Sequence, residues 1–212
     1  VYTRQGLTGS GKTRLLEHLG RAGGKVLDLE GLSNHRGSLL GSMGPQPTQK
    51  RFESLLYQRL RELQAGNPIF VEAESSRIGS VYVPAALWRR LSEGRVNELV
   101  LPRPARVQLL LEDYAHFPAE PTHLRDLLDK LRKLRGHEQV DAWQKQVAAE
   151  QWPEFVASIL EHHYDLVYRR PGAPDSVYQA PERRLELSDG TPASFDRAAE
   201  ELLADAGRVV VP

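Results

Sequence analysis

Gly6-Leu7-Thr8-Gly9-Ser10-Gly11-Lys12-Thr13 meets every specified position of the pattern G-x-x-x-x-G-K-[ST]. A β-prone stretch, Val1 to Gln5, precedes it, and a helical pattern, Arg14 to Ala22, follows. That strand–loop–helix context separates a phosphate-binding loop from a glycine-rich turn with a chance lysine. Glycines let the backbone curl until its N–H groups turn inward. Those donors and the positive end of the following helix make an anion site. Gly6, Thr8, Gly9, Ser10, Gly11, Lys12 and Thr13 are therefore assigned to phosphate binding. Lys12 is expected to reach terminal phosphates, and the Thr13 hydroxyl suits Mg²⁺.

Outward from the loop, Lys25 to Glu30 reads as a second strand ending in acidic residues, and Ile69-Phe70-Val71 as a short buried one. Asn97 to Leu101 and Arg106 to Leu111 read as two more. Lys50 to Gln64 and Pro84 to Ser92 have helical spacing. Strands alternating with helices predict an α/β fold: a P-loop NTPase-like three-layer sandwich with a parallel sheet over residues 1–114. Beyond Tyr114 the pattern changes. Thr122 to Arg135 puts Leu124, Leu127, Leu128, Leu131 and Leu134 on one helical face. With amphipathic Val140 to Ala149 and Pro153 to His163, it predicts a helical subdomain over 115–165. The remainder, 166–212, carries a last helix, Ser194 to Ala206, and a candidate closing strand, Val209-Val210-Val211, returning to the core.

Composition narrows the chemistry. Lys+Arg and Asp+Glu are both 28, so a generally basic nucleic-acid surface is not indicated, although a local one is open. With no cysteine, disulfides, zinc thiolates and cysteine nucleophiles are excluded within this chain. That composition fits a reducing compartment, and a cytoplasmic location is expected. No apolar run approaches a membrane span, so no membrane partner is expected. A start at Val1, almost on the first strand, suggests an excised domain or a processed chain.

In a doubly wound sheet, ligands bind outside the carboxyl ends of the strands. Asp28 and Glu30 follow the second strand; Glu72 and Glu74 follow the third. Glu72 or Glu74 is expected to hold Mg²⁺ with Thr13, and another of the four to serve as general base. The long Gly31 to Gln49 loop carries His35, Arg36 and Ser38. Arg36 suits a bidentate phosphate clamp, and His35 is expected to donate to a phosphate or to titrate near neutral pH. Arg77 is a further candidate for stabilising leaving-group charge. Arg125, Lys130, Arg132, Lys133 and Arg135 form the one basic helical stripe, read either as a phosphate-contacting face or as a solvated one interrupted by Asp126 and Asp129. His162 and His163 are adjacent and point different ways, so helix-end packing is preferred to a metal site.

Several segments together resemble the P-loop domain of the tRNA 2-selenouridine synthase family. They are the loop itself, Leu27-Asp28-Leu29-Glu30-Gly31-Leu32, Asn34-His35-Arg36-Gly37-Ser38, and Gln46-Pro47-Thr48-Gln49-Lys50-Arg51-Phe52-Glu53. Val71 to Gly79, Glu112-Asp113-Tyr114, Leu134-Arg135-Gly136-His137 and His163-Tyr164-Asp165 continue the similarity, which runs from about residue 3 to residue 168. Ala73, Ser76 and Leu166 depart from the pattern. The resemblance implies a transferase acting on the wobble 2-thiouridine of tRNA, first geranylating sulfur with geranyl diphosphate and then exchanging it for selenium from selenophosphate. It implies Lys12, Arg36, Glu72 and Arg77 as catalytic groups, the basic stripe as tRNA contacts, and an N-terminal rhodanese-like domain in cis for the selenium step. A P-loop kinase or NTPase using ATP and Mg²⁺ is the alternative reading.

Overall fold

The computed structural model describes residues 2–38, 41, 43–63, 68–72, 75–115, 117–119, 121–168 and 180–208. Strand β1 (Tyr2–Gln5) runs into the phosphate loop and helix α1 (Lys12–Arg21). Then come β2 (Lys25–Leu27), α2 (Leu29–Ser33), α3 (Gln49–Glu62), β3 (Ile69–Glu72) and a small antiparallel hairpin, β4 (Arg77–Ile78) with β5 (Val81–Tyr82). Helix α4 (Ala85–Ser92), β6 (Arg95–Val100) and α5 (Arg103–Asp113) follow. After a single tight turn at Phe117–Ala119 come α6 (Pro121–Asp129), α7 (Arg132–Arg135), α8 (His137–Ala148) and α9 (Trp152–Ile159). A widened helical turn, Leu160–Tyr164, leads into α10 (Asp165–Tyr168); β7 (Arg183–Glu186) and α11 (Pro192–Arg208) complete the order.

Five strands form one parallel sheet in the order β2-β3-β1-β6-β7. Thr3 stands between Val71 and Val96, and Leu99 pairs with Leu185. With β1 central, the loop that leaves it opens at the carboxyl edge, flanked by the ends of β3 and β6. This is the P-loop three-layer sandwich. On one face Leu15, Leu16 and Leu19 of α1 pack with Leu99, Leu109, Phe195, Ala199 and Leu202. On the other, Leu27, Leu29, Phe52, Leu56, Val71 and Leu91 form a second core. Each large apolar side chain so enclosed contributes about 1.5–3 kcal/mol. A third core, around Leu124, Leu128, Val140, Trp143, Phe155 and Ile159, belongs to the helices after Phe117.

The structure revises three local readings. The expected strand Arg106 to Leu111 lies within α5. Pro102 stands at its N-cap and Pro104 in its first turn, and Arg106, Leu109 and Leu110 are buried at helical spacing. The second strand stops at Leu27, where the Asp28 carboxylate caps α2 by accepting from the Gly31 N–H at 2.8 Å. The expected helix from Thr122 to Arg135 breaks between Asp129 and Arg132. Leu131 stays in the core while Leu134 turns out, 55% exposed. Val209-Val210-Val211 lies outside the described residues.

Candidate functional site

The phosphate loop is shaped by two glycines that no other residue replaces cheaply. Gly9 and Gly11 have φ of 77° and 81°. A Cβ on Gly9 would meet the Leu110 side chain at 2.8 Å, and one on Gly11 would meet the Phe195 ring at 2.4 Å. The loop is thus seated directly on α5 and α11. The first N–H groups of α1 have no partner inside the helix and carry its positive dipole end. Within the loop the buried Ser10 hydroxyl lacks a hydrogen-bond partner, which suits an oxygen-rich guest.

Lys12 is 7% exposed. Its ammonium donates to the Gly6 carbonyl at 2.8 Å and the Leu7 carbonyl at 3.3 Å, and lies 3.9 Å from Glu72. Thr13 Oγ1 donates to Glu72 Oε2 at 3.2 Å. Glu72, last residue of β3, therefore stands where a carboxylate and a hydroxyl present hard oxygens side by side, 8% exposed. That donor set fits Mg²⁺, which takes one or two protein oxygens and completes its shell with water and phosphate. Among the described residues no group of three His, Asp or Glu gathers as a metal cage, so a divalent ion here would depend on such shared coordination. Glu74 lies outside the described residues.

The loop after α2 approaches the same edge through α5. Arg36 donates to the Asp113 carbonyl at 3.3 Å, and its guanidinium stands 5.0 Å from the Tyr114 ring centroid. Burial pushes the Tyr114 phenol up, partly opposed by Arg36 and by hydrogen bonding to Arg36 and Ser38. Asp113 also accepts from Arg14 at 2.9 Å, so Arg14, Asp113 and Arg36 link the first turn of α1 to this loop. His35 accepts the Gly37 N–H at Nδ1, 2.9 Å, and burial lowers its pKa, which favours the neutral ring. Glu30 lies close by, with its carboxylate near Gly37. Asp28 is engaged as the α2 cap. Arg77 is exposed; it donates to the Gly79 carbonyl at 2.9 Å and stacks on Tyr82, both on its own hairpin.

Two residues to which the sequence reading gave no role at the site underpin the loop. Arg106, 3% exposed, donates through Nε to the Thr8 carbonyl at 2.9 Å and forks onto Asp165 at 3.1 and 2.6 Å. For loop N–H groups to face an anion, carbonyls must face away, and Arg106 satisfies one of them. Asp165 comes from the far end of the helical subdomain. The only local signal was an arginine at a core-facing helical position, which marks a buried partner.

The basic stripe fares unevenly. Arg132 binds Asp129 and Asp141, each at 2.7 Å. Arg135 donates to His163 Nδ1 and to the His163 carbonyl, both at 3.0 Å. Burial, and then the Arg135 charge, lower the His163 pKa to about 4. Arg125, Lys130 and Lys133 are exposed. No described helix is long and apolar enough to cross a membrane.

The family model described as the tRNA 2-selenouridine synthase AAA domain matches residues 2–132, more than half of the chain. A tRNA 2-selenouridine synthase from Nitrosomonas europaea is 41% identical over 113 residues, covering 51% of this chain and 29% of that protein. The enzyme of that name from Hydrogenovibrio crunogenus is 34% identical over 185 residues, 77% of this chain and 50% of its own length. That from Aeromonas salmonicida is 30% identical over 192 residues, 77% and 51%. The chain spans about half the length, or less, of these curated relatives. Among solved structures, a shikimate kinase from Acinetobacter baumannii aligns over 100% of this chain and 94% of its own, with 16% identity and a TM-score of 0.35.

Proposed function

The chain belongs to the tRNA 2-selenouridine synthase family through its AAA domain, and from that premise we propose that it is the phosphate-binding part of a transferase that modifies tRNA. The observation that carries the reading is the Lys12, Thr13 and Glu72 cluster at a complete phosphate loop in a chain of this family. In the proposed first step the loop holds the diphosphate of geranyl diphosphate. The thiocarbonyl sulfur of wobble 2-thiouridine attacks the geranyl carbon, the carbon–oxygen bond breaks, diphosphate leaves with the electron pair, and the N3–H proton of the alkylated base is released to water. The nucleophile belongs to the RNA, so the protein's task is to orient the donor and to receive the charge that builds on the leaving group. Lys12 and the loop N–H groups do this directly, with Arg36 as the outer cation. Mg²⁺ between Thr13 and Glu72 would add charge neutralisation.

Exchange of the geranylthio group for selenium from selenophosphate is the proposed second step, completed with a rhodanese-like domain of the whole protein. A second reading, a kinase or NTPase, draws on the same Thr13–Glu72 pair, which suits Mg²⁺ with ATP equally well. Titration of geranyl diphosphate, selenophosphate and ATP against the wild-type chain and Lys12→Ala separates them. Geranyl diphosphate binding that falls at least about tenfold in Lys12→Ala is expected, on the scale of a lost charged hydrogen bond. ATP turnover with no geranyl diphosphate binding would sink the transferase reading.

A further inference from the structure

Two tyrosine rings stand in solvent, each with a guanidinium beside it. Tyr57 is 63% exposed, with Arg61 6.0 Å from its ring centroid. Tyr82 is 51% exposed, with Arg77 at 5.7 Å. The two pairs lie on joined elements. The Gln49 side chain accepts from the Tyr82 N–H at 2.8 Å and donates to the Tyr82 carbonyl at 2.9 Å, fastening the hairpin to the first turn of α3. On α3 itself Lys50, Ser54, Tyr57 and Arg61 follow helical spacing and are all exposed, while Phe52 and Leu56 face the core.

Scattered exposed aromatics need no explanation; paired tyrosines and arginines on adjoining elements make a pattern. The charge along the stripe is net positive. Glu62 is paired with Arg59, and Glu53, hydrogen-bonded to the neutral Gln49, is the one carboxylate set against Lys50, Arg61 and Arg77. The surface also adjoins the candidate site. Gln46 donates to the Ile78 carbonyl and accepts from the Ser80 N–H, and a Cβ on Gly79 would touch His35.

We propose that this face docks single-stranded RNA, with bases stacking on Tyr57 and Tyr82 and phosphates meeting Lys50, Arg61 and Arg77. The proposal rests on the tRNA-modifying reading above and adds to it the side of the molecule that the RNA occupies. Unpaired bases offer their π-faces to aromatic side chains, whereas a duplex hides them. The surface is therefore selective for loops over helices. It is separate from the basic side of the helical subdomain, where Arg132 and Arg135 are engaged within the protein.

Fluorescence anisotropy of a labelled anticodon stem–loop RNA, with a blunt RNA duplex of equal length beside it, tests this on the chain as it stands. The Tyr57→Ala, Tyr82→Ala double variant is expected to weaken stem–loop binding roughly tenfold or more. Duplex binding changes little, and Tyr57→Phe with Tyr82→Phe retains stem–loop affinity. Lys50→Glu with Arg61→Glu lowers the salt dependence, and melting curves confirm that each variant is folded. If the double alanine variant binds the stem–loop as tightly as wild type, the surface is wrong while the tRNA reading stands. The surface is equally wrong if only charge reversal at Arg125, Lys130 and Lys133 removes binding. Displacement by an equal amount of poly-glutamate would mark a general anion surface and overturn the single-strand assignment. If the wild-type chain binds neither RNA, reading and surface fall together.

Discussion

Arg106, beneath the phosphate loop, and Arg132, on the helical subdomain, each bind carboxylate oxygens at close range, yet they do different work. Arg106 and Asp165 are 3% and 5% exposed, and the third donor of the guanidinium holds a loop carbonyl. Arg132 binds Asp129 and Asp141, whose side chains are 51% and 52% exposed. In the first case removing one partner strands a charge in a low-dielectric interior. In the second, water replaces the partner. One network sets backbone conformation at the phosphate loop; the other decorates a surface that the third core already holds in place.

The widest separation between the two regions is expected from Asp165→Ala against Arg132→Ala. Urea unfolding should show a loss of about 3–5 kcal/mol for Asp165→Ala, together with weakened phosphate-ligand binding, while Arg132→Ala moves the midpoint little. Equal effects would erase the contrast. Next comes Gly11→Ala, which forces a side chain into a left-handed backbone position and against the Phe195 ring. A loss of about 2–3 kcal/mol is expected, and trimming the ring with Phe195→Leu should recover part of it in the same unfolding assay.

A smaller effect is expected from pH. His163 has its folded pKa lowered from the usual 6.5 to about 4, so the unfolded chain binds the extra proton first. Stability is fully present above about pH 6.5 and falls as pH drops toward 4. Melting temperatures across that window should show a loss on the order of 1–2 kcal/mol, absent in His163→Gln. The smallest change should follow Lys133→Ala, an exposed position of the stripe, with a melting temperature close to wild type.

What the sequence disclosed followed how local the signal was. The phosphate loop needs eight consecutive residues and a strand before them, so its position and its Thr13–Glu72 neighbour were legible from motif and strand end. The parallel sheet followed from alternation. Arg106 to Leu111 misled because six residues rich in Val and Leu satisfy both a buried strand and a helix face; Pro102 and Pro104, just upstream, were the signals for a helix start. Asp28 looked like a strand-end acid because a cap and a site carboxylate occupy the same position after a strand. The Arg106–Asp165 fork spans 59 residues, and nothing local to either residue announces the other. The basic stripe looked continuous because periodicity does not register where Leu131 holds to the core and Leu134 leaves it.

The contact between Phe195 and Gly11 has a bearing on order of assembly. The helices from α6 to α9 have a core of their own, built from residues between Phe117 and Ile159. The phosphate loop, which precedes those helices in the chain, gains the Phe195 side of its floor only when α11 packs against it. A chain cut before α11 would display the motif in full and lack that side of the loop's floor, so the motif and the surface that shapes it are separable in the sequence.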